Sequence, residues 1–326
     1  MKEIQFRDAI RDAMSEEMRR DKNVFLMGEE VAEYNGAYKA SQGMLDEFGP
    51  NRIYDTPISE LGFSGLGVGA AMSGLRPIIE FMTFNFSLVA IDQIINCAAK
   101  MRSMSGGQYS VPIVFRGPTG NAGQLGATHS SNFENWFANT PGLKVVVPSN
   151  PYDAKGLLKA SIRDNNPVIF MESEVMYGDK GEVPEGEYLL PLGVADIKRK
   201  GKDVTIVSFG KIIKVAYEAA EVLAKDGIEV EIIDLRTVKP IDYDTVIKSV
   251  KKTNRCVIVE EANPLASIAT DLAFNIQRLA FDYLDAPILR VNSMDIPLSY
   301  SHVYIEATLP NAKRTIDAVK KVLYRD

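Results

Sequence analysis

Along the chain, short apolar runs alternate with stretches in which apolar residues recur every three or four positions. The runs at 24–28, 53–55, 76–81, 111–116, 144–147 and 168–172 are short and uniformly apolar, and they predict strands buried on both faces. Between them lie helical patterns. Phe6, Ala9, Ile10, Ala13, Met14 and Met18 make one, and Leu88, Ile91, Ile94, Ile95 and Ala98 another, while 58–74 is a Gly- and Ala-rich third. Such alternation predicts an α/β fold, with a doubly wound and mostly parallel sheet across residues 1–178. Over 179–202 the periodicity fades into a run rich in Gly, Pro and charge, which predicts a linker crossing the surface. It resumes in 203–326, with strands at 204–208, 229–234, 256–260 and 288–291 and helices at 211–225, 243–252, 267–281 and 311–323. These predict a second, smaller doubly wound α/β domain.

Composition narrows the class without changing that picture. Hydrophobic content of 46% and charged content of 25% are those of an ordinary globular protein, and the net charge of −6 argues against nucleic acid or an anionic membrane as partner. No apolar run approaches the roughly eighteen residues of a membrane span. Cys97 and Cys256 each lie inside an apolar run, which predicts buried free thiols and a reducing compartment. The amino terminus has no apolar signal region. The expectation is a cytoplasmic protein of bacterial type, or one of the mitochondrial matrix if the chain is a processed form.

Candidate chemistry begins at Glu60, which the pattern places at a helix start beside the carboxyl end of a strand, where open α/β sheets bind ligands. An acid there is also simply favoured by the helix dipole. Gly65-Leu-Gly67-Val-Gly69-Ala70 satisfies the dinucleotide pattern G-x-G-x-x-A, but that motif needs its first glycine in the turn directly after the strand. Here the glycines fall inside the helical pattern, and close helix packing explains them better. The run Phe81, Met82, Thr83, Phe84, Asn85, Phe86 fits either a core or the wall for a flat heteroaromatic ring. After the 111–116 strand, a loop with glycines at 117, 120, 123 and 126 leads into His129, one of two histidines. A lone histidine usually serves structure, although this position suits function equally. His302 lacks such neighbours and reads as structural.

Taken together, IYDTPISELGFSGLGVGAAMSGLRPIIEFMTFNFSLVAIDQIIN, MSGGQYSVPIVFRGP, PGLKVVVPSNPYDAKGLLKASIRDNNPVIFMESEVMYG and IDLRTVKPID closely resemble the beta subunit of the thiamine-diphosphate-dependent component of 2-oxo acid dehydrogenase complexes. The pyruvate dehydrogenase branch is the nearest. The resemblance is densest over 27–178 and thins beyond Cys256, where the acidic pair Glu260-Glu261 is followed by Ala262-Asn263-Pro264 in place of the family's usual glycines.

The resemblance implies a transketolase-like fold, whose first domain binds the pyrimidine. It implies a heterotetramer of two alpha and two beta chains, with thiamine diphosphate and magnesium held mainly by the alpha subunit. The family's Gly-Asp-Gly metal motif is absent here; Gly178-Asp179-Lys180 is the nearest approach. By the same resemblance Glu60 is the acid that hydrogen-bonds the aminopyrimidine, Met82 and Phe86 support its ring, and His129 is the active-site histidine. A structural potassium is implied at the backbone of Ile113, Ser161 and Ile162 with Asp164 and Asn166, residues that would equally serve a helix end before Pro167.

The implied reaction is oxidative decarboxylation of pyruvate with acyl transfer to lipoyl groups. The second domain is then expected to pair subunits and to dock the lipoyl-bearing acyltransferase core. The bulk of Phe84 and Phe86 favours pyruvate over the larger acids of branched-chain or acetoin dehydrogenase beta subunits. A noncatalytic assembly subunit is the rival from another class. The co-occurrence of Glu60, Met82, Phe86 and His129 speaks against it, since a scaffold has no chemical need of that set.

Overall fold

A computed structural model describes residues 1–325. Fourteen strands occur among them. They are β1 (Lys2–Gln5), β2 (Val24–Gly28), β3 (Ile53–Asp55), β4 (Arg76–Glu80), β5 (Val114–Pro118), β6 (Lys144–Val146), β7 (Val168–Glu172), β8 (Lys180–Val183), β9 (Asp196–Arg199), β10 (Val204–Ser208), β11 (Val230–Asp234), β12 (Thr237–Lys239), β13 (Cys256–Val259) and β14 (Leu289–Val291). The first sheet has seven strands in the order β12-β6-β7-β5-β4-β2-β3, parallel except for β12. The second has five, β14-β13-β10-β11-β9, with β9 antiparallel at its edge.

Helices cover both faces of the large sheet, as its apolar strands require. On one face the Phe6–Arg20 helix lays Phe6, Ala9, Ile10, Ala13, Met14 and Met18 against Ala154, Leu157, Leu158 and Ile162 of the Pro151–Arg163 helix. Glu17 and Glu16 reinforce the pair through Arg163 and Lys159. On the other face the core runs without a break from Phe63, Ile79 and Phe81 to Val207, Ile233 and Ile258 of the second sheet. The two domains therefore share one apolar interior.

Residues 179–202 differ from the expected surface linker. They supply β8, which pairs antiparallel with β1, and β9, which closes one edge of the second sheet. Between these strands Tyr188 stacks on Tyr152 at 5.0 Å, and Leu190 lies so close to Gly156 that an added Cβ would stand 2.7 Å from it. The segment is packed because its aromatic and leucine side chains find helical partners. A second difference is β12, which lies in the second half of the sequence yet completes the first sheet beside β6. Among the described residues no helix is long and apolar enough to cross a membrane.

At the carboxyl ends of β4, β5 and β7, Arg116 is fully buried between Glu80 and Glu172. Its Nε and Nη2 donate to the two oxygens of Glu172, each at 2.5 Å, and Tyr177 Oη donates to Oε2 at 2.8 Å. Breaking a buried ion pair leaves an uncompensated charge, at a cost of roughly 3–5 kcal/mol. Arg116→Met should therefore destabilise the chain by about that amount in denaturant unfolding, since it leaves two carboxylates facing each other. A loss below about 1 kcal/mol would show that the cluster does not hold these strand ends.

Candidate active site

Gly28 lies level with Asp55 and Glu80 in the sheet, and Glu80 lies level with Arg116. The segments leaving β2, β3, β4 and β5 thus gather at one edge, the carboxyl edge that binds ligands in open α/β sheets. Gly28 is suited to this crowding, since a Cβ would fall 2.7 Å from the Glu80 carbonyl. Asp55 accepts from the amides of Ala32 at 2.7 Å and Glu33 at 3.0 Å, which folds the chain after β2 back over the end of β3.

That fold brings Glu29 against Glu60, the first residue of the Glu60–Met72 helix; both are buried. Burial, followed by the charge and hydrogen bond of Glu60, pushes the Glu29 carboxyl up to about 7. Two buried carboxyls in contact cannot both ionise readily, so the pair holds a proton near neutrality. Oε1 of Glu29 is buried and finds no partner within the chain. Glu29 escaped the sequence reading. The available signal was its place directly after a strand's carboxyl end, the same argument that singled out Glu60.

The wall is built after β4. Thr83 Oγ1 accepts from the Asn85 amide at 3.4 Å and opens the tight helical turn Phe84–Leu88. The turn sends alternate aromatics in opposite directions. Phe84 is fully buried against Phe81 at 5.6 Å and Phe137 at 5.8 Å, so it is core, and the size argument drawn from it for the acyl pocket does not hold. Phe86 is half-buried and meets the His129 ring edge-on at 5.3 Å. Met82 is half-buried on the same segment.

His129 closes the glycine-rich loop and shares a hydrogen bond with Thr128 Oγ1 through Nδ1 at 2.9 Å. Asn85, named in the sequence only as part of the 81–86 run, joins the two segments. Its Nδ2 donates to Thr83 Oγ1 at 2.8 Å, and its Oδ1 accepts from the Ser131 amide at 3.2 Å. The structure therefore pairs Glu60 with Glu29 and Phe86 with His129, on adjoining strand ends of one sheet edge. His302 stands apart, exposed in the second domain beside Glu306.

The residues expected to hold potassium lie at the opposite, amino edge. Ile113 precedes β5, and 161–166 join the Pro151–Arg163 helix to β7. Arg76 Nη1 donates there to the carbonyls of Ile162 at 3.0 Å and Asp164 at 3.1 Å. Asp164 pairs with Lys144 and accepts from the Asn166 amide at 2.8 Å. The helix-end role of Asp164 and Asn166 is thus realised, and positive charge is already present.

Two family models match the chain. Residues 2–180 match the transketolase pyrimidine binding domain, and residues 193–315 match the transketolase C-terminal domain. The chain is 58% identical to the pyruvate dehydrogenase E1 component subunit beta of Rhizobium meliloti (strain 1021), over 98% of this chain and 70% of that protein. It is 55% identical to the same subunit of Rickettsia felis, over 99% of each. To the mitochondrial subunit of Dictyostelium discoideum it is 50% identical, over 100% of this chain and 92% of that one. A solved structure described as a split gene transketolase, inactive beta4 tetramer, superposes with a TM-score of 0.81 at 21% identity, covering 98% of each chain, and shares the fold.

The Glu29 shift has a direct consequence for stability. Its folded value of about 7 lies above the unfolded 4.5, so the folded state binds the extra proton between them and loses stability as pH rises through that window. Glu29→Gln removes the loss. Relative to wild type, the variant should gain about 2 kcal/mol between pH 5 and pH 8 in denaturant melts. A pH-independent difference would mean that Glu29 titrates normally.

Proposed function

The chain belongs to the family of pyruvate dehydrogenase E1 component beta subunits, built from transketolase pyrimidine-binding and C-terminal domains, and we propose that it forms the pyrimidine half of a thiamine diphosphate site completed by an alpha chain. The observation that carries this reading is the buried Glu60–Glu29 pair with its unpartnered oxygen, set at the ligand-binding edge of the sheet. A buried carboxyl without a full set of partners is costly in the free chain, and a heteroaromatic amine would satisfy it.

Thiamine diphosphate, when bound, supplies the carbanion stabilisation that decarboxylation needs. The chain supplies orientation and proton handling. Glu60 would hydrogen-bond the aminopyrimidine ring nitrogen and favour one tautomer, with the Glu29 carboxyl, pushed up to about 7, beside it. Met82 and Phe86 present apolar surface to the ring. With Nδ1 engaged by Thr128, His129 would offer Nε2 to orient pyruvate and to move a proton during acyl transfer to lipoyl. Magnesium and the diphosphate are assigned to the alpha chain.

An alpha2-beta2 assembly is supported by the outer face of the Glu60–Met72 helix. Leu61 and Leu66 are exposed there, as is Ile58 just before the helix, and a Cβ on Gly69 would meet nothing within 4 Å. Gly67 has the opposite reason to be small, because a Cβ would fall 2.7 Å from Ile79. The glycine pattern thus serves close packing inside and leaves an open apolar face outside, suited to a partner helix. The lipoyl-bearing acyltransferase core is the further partner in this reading, and the bacterial cytoplasm or the mitochondrial matrix is the compartment.

The Ile162 and Asp164 carbonyls, each accepting one hydrogen bond from Arg76, keep a second lone pair, and the reading places potassium there with Ile113, Ser161 and Asn166. Exchanging sodium for potassium chloride at constant ionic strength should then raise the melting temperature by about 2–4 °C. Equal melting in the two salts removes the ion from the reading.

Reconstituted with its alpha chain, Glu60→Gln should lower pyruvate turnover by at least about 100-fold while the assembly mass is unchanged in light scattering. Turnover within about twofold of wild type would defeat the role given to Glu60.

A further inference from the structure

The glycine-rich loop that carries His129 is gripped by the second domain at two places. At the first, Lys211 forms an ion pair at 2.9 Å with the buried Glu261. Glu261 Oε1 accepts from the Asn121 amide at 2.6 Å, and Lys211 Nζ donates to the Asn121 carbonyl at 2.5 Å. One ion pair thus holds both backbone polar groups of a single loop residue, from positions distant in the sequence. Gly120 admits the carboxylate, since it sits at φ +74° and a Cβ would lie 2.7 Å from Glu261 Oε1. At the second place the Tyr300 ring lies beneath Gly126, where a Cβ would stand 2.4 Å from Cζ, and the Tyr300 carbonyl accepts from Gln124 Nε2 at 2.9 Å.

A loop with glycines at 117, 120, 123 and 126 has large conformational freedom to lose, and His129 cannot hold one position unless something removes that freedom. Asn85 fixes the far side at Ser131, after His129, while the second domain fixes the near side before it. We propose that Lys211, Glu261 and Tyr300 are positioning residues for His129, so that the second domain sets the geometry of acyl transfer as well as holding the subunits together. This rests on the role of His129 given above. Glu261 stands immediately before Ala262-Asn263-Pro264, and the grip draws on three separate segments of the second domain, at 211, 261 and 300.

The test uses the alpha–beta complex with Lys211→Met, Glu261→Gln, Tyr300→Ala, Lys211→Arg and His129→Ala. Amide exchange over 117–131 reads the grip without reference to activity. Pyruvate oxidation by ferricyanide and acylation of a free lipoyl domain read the chemistry. Lys211→Met and Glu261→Gln should each speed loop exchange at least about tenfold and lower the acylation kcat by a similar factor. The KM for pyruvate should stay within about twofold, and Lys211→Arg should restore most of the rate. Unchanged loop exchange in Lys211→Met, Glu261→Gln and Tyr300→Ala overturns the grip. Faster exchange with normal acylation overturns its positioning role. Normal acylation in His129→Ala overturns the reading of His129 and the positioning role with it, and the exchange data show that this failure is not one of the grip.

Discussion

One guanidinium between two carboxylates holds together the edge on which everything else is arranged. Glu80, Arg116 and Glu172 come from three neighbouring parallel strands, and each stands at or near the point where its strand gives way to a loop. Parallel strand ends carry backbone groups with no further ladder to join, and the ion cluster pins them without a continuing sheet. The aromatic wall leaves from Glu80 and the His129 loop leaves just beyond Arg116, so both start from anchored positions. The carboxyls outnumber the guanidinium. Tyr177, donating to Glu172, helps satisfy the excess, and Tyr38 donates to Glu174 two residues further on. Such a cluster is a poor source of net stability, yet a strict one of geometry, because few alternative packings satisfy all its groups.

The main strands were readable because parallel strands buried on both faces must be apolar throughout. Those that escaped were β1, β8, β9 and β12, of three or four residues each, lying at edges and carrying lysines, arginines and glutamates. Hydropathy has no period to register in so short and polar a segment, and the pairing partner is remote in sequence. The site divides along similar lines. Glu60 was legible from its position at a strand-to-helix turn. Glu29 matters only through contact with Glu60, a pairing that no local pattern encodes. Phe84 and Phe86 would share one face in an extended strand, but the turn started by Thr83 separates them, placing one in the core and the other beside His129.

The continuous core beneath the two sheets changes what a domain means here. Side chains from Phe63 to Ile276 belong to one apolar cluster, so the second unit is more than an appendage tethered by 179–202. Contacts across the boundary reach the loop above β5, and the loop reaches the wall through Asn85. Geometry at the sheet's carboxyl edge is thereby tied to the packing of strands from both halves.

The placement of β12 bears on how the chain is made. During synthesis, residues 144–146 leave the ribosome long before 237–239, and until then β6 has no neighbour on its outer side. A nascent first half therefore presents an open strand edge of the kind that templates pairing between chains. Its protection arrives only with the later half, so crowding of nascent chains, rather than any weakness of the finished fold, is the stage at which this architecture is most exposed to misassembly.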